Sequence, residues 1–331
     1  MNRNSTRRAF LGTLTAGGIG AAALGVSTVS GTTAAQEAAS TNVASAEKTA
    51  APTLDASKVR FCLNTGTILS YNLPLMEELK IARAAGYRSV EIWLMRLQAY
   101  SDDYSPAKLA ELRKWLDGEG MRVEGGIGFA SWIVDDAKRR ADGLEQLKRE
   151  AEALAAIGCA CVAAPASGAN EKIPVDAVAE RYRAVLELCE PIGVKPLLEV
   201  WGASATLGKL SDALAICAET GRSDAALLLD AYHLYRGGNS FASLNLVSGK
   251  AQPIFHRNDY PGTPEREKLN DSDRVFPGDG VAPLREILAT LFANGFDGAL
   301  SLELFNPNYR KEMSPLEQAK VGLEKMRALF A

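Results

Sequence analysis

Pro196-Leu197-Leu198-Glu199-Val200 is the first of four short apolar runs that each place an acidic residue or a histidine at or next to their end. The other three runs cover residues 226–230, 253–256 and 299–304. Apolar runs of this length, separated by helical patterns, are typical of buried parallel strands. The polar residue of each run is therefore expected at the carboxyl-terminal edge of the sheet, where α/β barrels carry their active sites.

These four runs end in a set of residues that suits a divalent metal, namely Glu199, Asp230, His256 and Glu303. Three carboxylates held together without a cation would raise one another's pKa values, and a bound metal removes that cost. Oxygen-rich ligation with one nitrogen fits Mn²⁺, Mg²⁺, Co²⁺ or Zn²⁺ and does not choose among them. The chain has only two histidines, and the second one, His233, also lies in this stretch.

Three residues near these runs are candidates for contact with substrate. His233 lies three residues after Asp230 and is expected to face the cavity, with a capping role or a role behind the ligands as the alternative. Asp259 follows His256 by three residues and could orient that imidazole, bind a substrate hydroxyl or simply be a loop carboxylate. Arg274 lies in a long polar loop predicted over residues 258–280, where it could bind substrate oxygens or form a surface salt bridge.

Three further candidates are Glu91, Trp201 and Phe305. Glu91 closes the second predicted strand, so it either reaches the cavity or makes a hydrogen bond inside the barrel. Trp201 and Phe305 follow strand ends and could form walls of a pocket, with packing in the core as the alternative.

The whole chain repeats a strand–helix rhythm from residue 59 onward. Predicted strands cover residues 59–64, 89–93, 122–127, 159–164, 194–200, 225–230, 254–257 and 298–305. Predicted helices cover residues 74–85, 105–118, 136–157, 175–189, 209–220, 241–247, 283–294 and 315–329, the last one opened by a Ser314–Glu317 capping box. Eight such repeats predict a TIM (β/α)₈ barrel. A doubly wound open sheet is the alternative, and it lacks the glycine-rich phosphate turn after the first strand.

The first 57 residues are predicted to lie outside this fold. Thr6-Arg7-Arg8-Ala9-Phe10-Leu11 resembles a twin-arginine export signal, and a run rich in Ala, Gly and Thr follows it. Residues 1–35 are therefore expected to be a cleaved signal, 36–57 a disordered linker and 58–331 the barrel domain of a periplasmic protein. A retained membrane anchor is the alternative, although the run is weakly apolar for a bilayer span.

The composition narrows the classes of molecule that this protein is expected to bind. The 331 residues carry a formal net charge of −3 and 47% hydrophobic residues, typical of a globular enzyme and without the basic footprint of a nucleic-acid-binding protein. Five cysteines form no zinc-type pair of CxxC motifs, so buried free thiols are expected. The expected partner is a small molecule, and the sequence leaves open whether the chain forms a homo-oligomer.

These motifs together resemble the xylose-isomerase-like sugar isomerase/epimerase superfamily, and within it the inosose (2-keto-myo-inositol) isomerases. The resemblance rests on Leu-Glu-Val, Asp-x-x-His, His-x-x-Asp, Asp-Arg-Val-x-Pro-Gly-x-Gly and Leu-Glu-Leu-Phe-x-Pro-x-Tyr, and spans residues 59–329. It implies one divalent cation on Glu199, Asp230, His256 and Glu303, with the two glutamates as acid and base. It also implies that His233 and Arg274 lie near substrate oxygens.

Two departures from the family pattern bear on the substrate. The related ketose 3-epimerases carry a further substrate-contacting glutamate six residues after the strand-five ligand, where this chain has Ala205. The enzymes of inositol catabolism in this family lack an export signal.

The leading hypothesis is an isomerase or epimerase of a keto-sugar or keto-polyol that transfers a proton through a metal-stabilised enediolate. A lyase that removes the α-proton of a 3-keto-glycoside and eliminates the aglycone would share every residue of the site. An endonuclease with a three-zinc site would need more than two histidines. A sugar-binding barrel without catalysis would not need two glutamates beside the metal.

Overall fold

The computed structural model describes residues 54–331, and its eight strands close into a parallel barrel in the order β1 to β8. The strands are β1 Arg60–Asn64, β2 Ser89–Trp93, β3 Arg122–Ile127, β4 Cys161–Ala164, β5 Lys195–Glu199, β6 Ala226–Asp230, β7 Ile254–His256 and β8 Ala299–Leu302. The helices are α1 Leu75–Ala85, α2 Leu94–Tyr100, α3 Pro106–Glu119, α4 Ala137–Ala156, α5 Val175–Cys189, α6 Leu210–Glu219, α7 Ala231–Arg236, α8 Leu284–Ala293, α9 Tyr309–Glu312 and α10 Pro315–Ala328. The predicted TIM barrel is confirmed.

Strand register brings the ends of β6, β7 and β8 side by side. Asp230 pairs with His256, and His256 pairs with Ser301 on the next strand. Glu303 follows Ser301 by two residues, and because strand side chains alternate between faces, the two point to the same side of the sheet. The register therefore gathers the predicted ligands of these three strands at one edge of the barrel.

Side chains of alternating strand positions fill the barrel interior below this edge. One cluster of buried apolar residues lies inside the barrel and includes Cys62, Ile127, Leu197, Leu228 and Ile254. A larger cluster joins the outer faces of the strands to the helices. The two-layer core is what holds the strand ends at fixed positions, because well-packed interiors allow little adjustment.

Helix ends agree with the sequence prediction where a capping side chain or a glycine marks the end. Ser314 accepts a hydrogen bond from the backbone N–H of Glu317 at 3.3 Å, and the Glu317 carboxylate accepts from the Ser314 N–H at 2.8 Å. The predicted capping box of α10 is thus confirmed. Helix α1 ends at Gly86 with φ +102°, a conformation that glycine adopts without strain.

Three helices were not predicted, namely α2, α7 and the short α9, and the first two start directly after a strand. α2 begins at Leu94, one residue beyond β2, and α7 begins at Ala231, one residue beyond β6. The predicted helix at 241–247 is instead a 3-10 turn, Phe241–Leu246. The helix that follows β6 is α7, which the Asp230 side chain caps by accepting from the His233 N–H at 2.7 Å.

The predicted export segment 1–35 and linker residues 36–53 lie outside the described residues. The last linker residues are part of the barrel domain, because residues Ala56–Lys58 form a 3-10 turn that Asp55 caps. Between residues 54 and 331, none of the helices combines the length and the apolar character that crossing a bilayer requires.

All five cysteines are free thiols, as expected. Cys62, Cys159, Cys161 and Cys189 are buried, and Cys217 is half-buried on α6. Burial raises the pKa of the Cys62 thiol well above its usual range and raises the pKa values of the Cys189 and Cys217 thiols to about 12. These thiols are therefore protonated and weakly nucleophilic in the folded protein.

Candidate active site

Three of the four predicted metal ligands converge at the carboxyl-terminal end of the barrel. Asp230, His256 and Glu303 are buried and each offers one donor atom, with all three atoms within 4.8 Å of one another. His256 Nδ1 lies 3.2 Å from Glu303 Oε2 and 3.8 Å from Asp230 Oδ2. The same Nδ1 has no hydrogen-bond partner among the described residues. A buried nitrogen facing two carboxylate oxygens fits a divalent cation.

The fourth predicted ligand, Glu199, lies at the end of β5 and is not part of this three-atom group. Its side chain is buried, and its Oε2 atom has no partner in the part of the chain that the structure describes. Burial raises the pKa of Glu199 to about 8, against the lowering effect of His256. This carboxyl is close enough to His256, Glu303 and Asp230 for their charges to shift its pKa, and its Oε2 is a buried acceptor left unused within residues 54–331.

Arg274 reaches from the loop after β7 into the centre of the site. Its Nη1 lies 2.8 Å from Glu303 Oε2 and 3.4 Å from Asp230 Oδ2, and its Nη2 also pairs with Asp271. The guanidinium is 1% exposed and sits 4.6 Å from the centre of the Tyr232 ring. The sequence alternative of a surface salt bridge is thus wrong, because the partners are strand-end carboxylates inside the barrel mouth.

Neighbouring charges at this end of the barrel shift the pKa values of Glu303 and His256. Burial alone would raise the pKa of Glu303, but His256 and Arg274 together hold it well below its usual range. Burial would likewise lower the pKa of His256, but Glu303 and Glu91 raise it well above the usual value. The site therefore holds an ionised carboxylate at Glu303.

His233 stands in the first turn of α7, beside this guanidinium. Its Nε2 lies 3.0 Å from Arg274 Nη2, which places the ring nitrogen as the acceptor, since the guanidinium only donates. Burial first, and then Arg274, lower the pKa of His233. The neutral ring leaves Nδ1 without a partner among residues 54–331. His233 thus offers a buried polar atom for a substrate oxygen.

Glu91 lies across the barrel from His256 and makes a direct contact with it. The distance between Glu91 Oε2 and His256 Nε2 is 2.9 Å, and both side chains are at most 1% exposed. Asn64, at the end of β1, donates to Glu303 Oε1 at 3.0 Å and to Glu91 Oε2 at 3.4 Å. Trp93 in turn donates its indole N–H to Asn64 Oδ1 at 3.0 Å. Side chains of the two neighbouring strands β1 and β2 therefore hold the group from this side of the barrel.

Asp259 is held by the backbone of the loop rather than by the group of candidate metal ligands. Its two oxygens accept hydrogen bonds from the backbone N–H groups of Tyr260, Gly278 and Ala282, at 2.8, 3.0 and 2.9 Å. The side chain is 1% exposed. This geometry supports the loop that carries Arg274, and it fits the expectation of a loop carboxylate better than a contact with substrate.

Aromatic rings form one wall of the mouth. Trp93 packs against Phe129 and Phe305 with ring centres 5.4 and 5.8 Å apart, and Phe129 lies 6.1 Å from Trp201. Phe305 also lies beneath Arg274, 5.1 Å from its guanidinium carbon. Trp201 and Phe305 therefore belong to one arc of four aromatic rings, together with Trp93 and Phe129.

Sequence reasoning missed several residues of this site. Asn64 closes β1 in the same way that the recognised ligands close their strands, so the same signal could have found it. Asn258 donates to Asp230 Oδ2 at 2.7 Å, directly after a strand end. Trp93 and Phe129 carry no signal of their own, because their importance comes from neighbours on other strands.

Comparison with known proteins agrees with this geometry. Residues 79–329 match the family model described as xylose isomerase-like TIM barrel. An inosose isomerase of Bacillus velezensis is 29% identical over 279 residues, covering 82% of this chain and 98% of that protein. A fructoselysine 3-epimerase of Escherichia coli O157:H7 is 23% identical over 276 residues, covering 78% of this chain and 94% of the relative.

Among solved structures, one described as IOLI protein with a binding zinc atom superposes with a TM-score of 0.75. It is 26% identical, and the match covers 82% of this chain and 98% of that structure. The relatives by sequence are isomerases and epimerases by name, which supports an enzyme of that class. The family model covers about three quarters of the residues. This chain therefore belongs to the xylose isomerase-like TIM barrel family.

Proposed function

We propose that this protein is a divalent-metal-dependent isomerase or epimerase that moves a proton between neighbouring carbons of a keto-polyol or keto-sugar. The observation that carries the proposal is the buried group of Asp230, His256 and Glu303, with Glu199 facing it from β5. Two carboxyl groups beside a cation site are what proton removal and return at adjacent carbons require. Binding alone would not need the second one.

The four residues Glu199, Asp230, His256 and Glu303 would hold one cation, and their oxygen-rich set fits Zn²⁺, Mn²⁺, Co²⁺ or Mg²⁺. When bound, such a cation supplies Lewis-acid polarisation of the substrate carbonyl, which makes the neighbouring C–H more acidic. A structural relative described with a zinc atom supports Zn²⁺ as the first metal to test.

The two glutamates then divide the proton transfer. Glu303 is an ionised carboxylate beside the guanidinium of Arg274, 2.8 Å away, and we assign to it the removal of the α-proton. Within residues 54–331 no cationic side chain makes a hydrogen bond to Glu199, and in the absence of a cation burial raises the pKa of this carboxyl to about 8. Glu199 is assigned the return of the proton to the neighbouring carbon. Environments that differ in this way are how paired carboxyl groups take opposite roles.

Other residues of the mouth would hold the substrate. The free Nδ1 of His233 is suited to bind a hydroxyl, and Arg274 keeps both His233 and Glu303 in place. The arc that contains Trp93 and Trp201 offers flat apolar surfaces to the C–H face of a sugar or polyol ring. Ala205 supplies no carboxylate at the position where ketose 3-epimerases carry one, which favours an inosose-like substrate over a ketose.

Proton exchange in D₂O tests the proposal. Zn²⁺-loaded and Mn²⁺-loaded protein is incubated with inososes, ketoses and 3-keto-glycosides, and products are followed by NMR. Deuterium at the carbon next to the carbonyl, in an isomerised or epimerised product, is the expected result. Release of a free aglycone would instead show the elimination that the same site could support. Protein that binds metal and exchanges no substrate proton contradicts both reactions.

We also propose that the protein is exported to the periplasm by the twin-arginine route. Arg7 and Arg8 stand at the start of the predicted signal, and the route carries folded proteins, which suits buried free thiols. Replacement of both arginines by lysine should leave the protein in the cytoplasm, as measured by cell fractionation. Export that is unchanged in this variant contradicts the proposal.

A further inference from the structure

The contact between Glu91 and His256 decides which nitrogen of the imidazole is available. Glu91 Oε2 lies 2.9 Å from His256 Nε2, whereas Nδ1 faces Glu303 and Asp230. An ionised carboxylate can only accept a hydrogen bond. Nε2 must therefore carry the proton, and in the neutral ring the lone pair is left on Nδ1, the atom that points into the group of ligands.

Glu91 is itself fixed in this position. Asn64 donates to the same Oε2 at 3.4 Å and is held in turn by the Trp93 indole. On the neighbouring strand, Gly125 leaves the space that Glu91 occupies, because a Cβ at that position would come within 3.0 Å of Glu91 Oε1. The carboxylate is 1% exposed. Its Oε2 is engaged by His256 and Asn64.

We propose that Glu91 is a positioning residue that fixes His256 as the Nε2–H tautomer and so presents Nδ1 to the cation. This inference rests on the proposed metal site, and it replaces the expectation that Glu91 contacts substrate. Residues that orient a metal-bound histidine in this way typically contribute 10- to 100-fold to metal affinity.

The chain offers a direct readout of the tautomer, because it has only two histidines. In protein labelled with ¹⁵N-histidine, each ring gives one pair of nitrogen signals, and a His233→Gln variant assigns them. With Zn²⁺ bound, the His256 signals should show a protonated Nε2 and a metal-bound Nδ1. A protonated Nδ1 with zinc on Nε2 overturns the proposal, whatever happens to any variant at Glu91.

Zinc affinity supplies the second test, measured by competition with a chromophoric chelator. Glu91→Ala should bind Zn²⁺ about 10- to 100-fold more weakly. Glu91→Gln should recover most of that loss, because the amide oxygen can still accept from Nε2–H. The control is Glu124→Gln, since Glu124 is a buried glutamate of β3 that pairs with Arg60 and Ser89 instead of a ligand. That variant should keep the wild-type zinc affinity.

The outcomes separate this proposal from the proposed function. Wild-type protein that binds no Zn²⁺ overturns the metal site and this role together. Wild-type protein that binds Zn²⁺, while Glu91→Ala binds it equally well with the same tautomer, overturns the role of Glu91 alone. Equal losses in Glu91→Ala and Glu91→Gln also count against it, because the amide retains the acceptor that the tautomer needs.

Discussion

Two regions of this molecule treat buried carboxylates in opposite ways. At the barrel mouth, Glu303 is ionised because Arg274 and His256 contact it directly. Between helices and barrel, Glu78 on α1 and Glu150 on α4 are equally buried, and burial raises the pKa of each to about 7. Burial by itself therefore does not make a carboxylate functional. A paired cation is what keeps a buried carboxyl group ionised at neutral pH.

The helix-layer acids also lack convergent partners. Glu150 accepts from Gln146 at 2.8 Å through one oxygen, and its other oxygen has no partner in residues 54–331. Glu78 lies 3.4 Å from Arg96 Nε without forming a hydrogen bond to it. Neither residue belongs to a group that could hold a metal within the described range. A raised pKa at these two positions is thus a property of packing and not a sign of a second site.

The largest expected effect comes from removing the base at the mouth. Glu303→Gln keeps size and an oxygen donor, but an amide accepts no proton at neutral pH. Turnover should fall by about 10² to 10⁴, with a similar loss in Glu199→Gln, while bound zinc persists. Single-turnover rates and elemental analysis measure the two properties separately. Glu150→Gln is the same chemical change in the helix layer and should turn over like the wild type.

If both variants at the mouth turn over at the wild-type rate with metal bound, the pair of glutamates is not the acid and base. If only Glu199→Gln exchanges the α-proton of substrate without forming product, the assignment of Glu303 as the first base is supported. The reverse pattern would exchange the two roles.

The next largest effect tests whether Arg274 causes the difference between the ionised carboxylate at the barrel mouth and the acids of the helix layer. Arg274→Met keeps much of the stem and leaves Glu303 and Asp230 beside each other without the guanidinium. Breaking a buried ion pair on one side typically costs about 3 to 5 kcal/mol, so the metal-free variant should unfold in markedly less denaturant. Added Zn²⁺ should restore part of the loss, because a cation replaces the missing charge.

Arg96→Met is the matched control, since this arginine stands beside Glu78 in the helix layer. It should cost much less, because Glu78 with a pKa raised to about 7 is partly neutral already at pH 7. Equal losses in the two arginine variants would contradict the distinction between the regions.

The smallest effect concerns the pH dependence of stability in the helix layer. The pKa of Glu150 is about 7 in the folded protein, against the ordinary value of 4.5. The folded state therefore binds this proton more tightly, and the resulting stability is complete below the unfolded pKa and is lost as pH rises through about 7. At pH 8, Glu150→Gln should be more stable than the wild type by about 1 to 3 kcal/mol, with little difference at pH 4.

Glu152→Gln controls for the loss of one negative charge on the same helix, because Glu152 is exposed. Urea unfolding of both variants and the wild type across this pH range is the measurement. A Glu150→Gln curve that follows the wild type at every pH would show that Glu150 is not neutral in the folded protein.

Much of the fold could be predicted because its signals are local. β2, β3 and α5 have the predicted bounds, since apolar runs and helical periodicity are written in consecutive residues. α2 and α7 were missed because each begins where a strand has just ended, without a loop to mark the change. At α7 the cap is Asp230, a residue already assigned to the end of β6.

The candidate site also has a part that local sequence predicts and a part that it does not. The positions of the candidate ligands followed from strand ends, whereas their hydrogen-bond partners did not, because those partners come from other strands. Glu91 and His256 are 165 residues apart, and only closure of the barrel brings them into contact. Arg274 was found as a candidate, but its contact with Glu303 depends on a loop whose path Asp259 fixes through backbone hydrogen bonds. No pattern in the sequence specifies that path.

The buried thiols can be used to measure local opening of the folded protein. Since burial keeps the cysteines protonated, a thiol reagent in solution can label each one only when its surroundings open. Half-buried Cys217 on α6 should be labelled first, through local fluctuation of the helix layer, and Cys62 inside the barrel should be labelled only when the barrel itself opens. Labelling rates read by mass spectrometry would therefore rank the opening free energies of the two layers without any engineered cysteine. Bound Zn²⁺ should slow the labelling of Cys62 more than that of Cys217, because the cation ties strand ends of the barrel together.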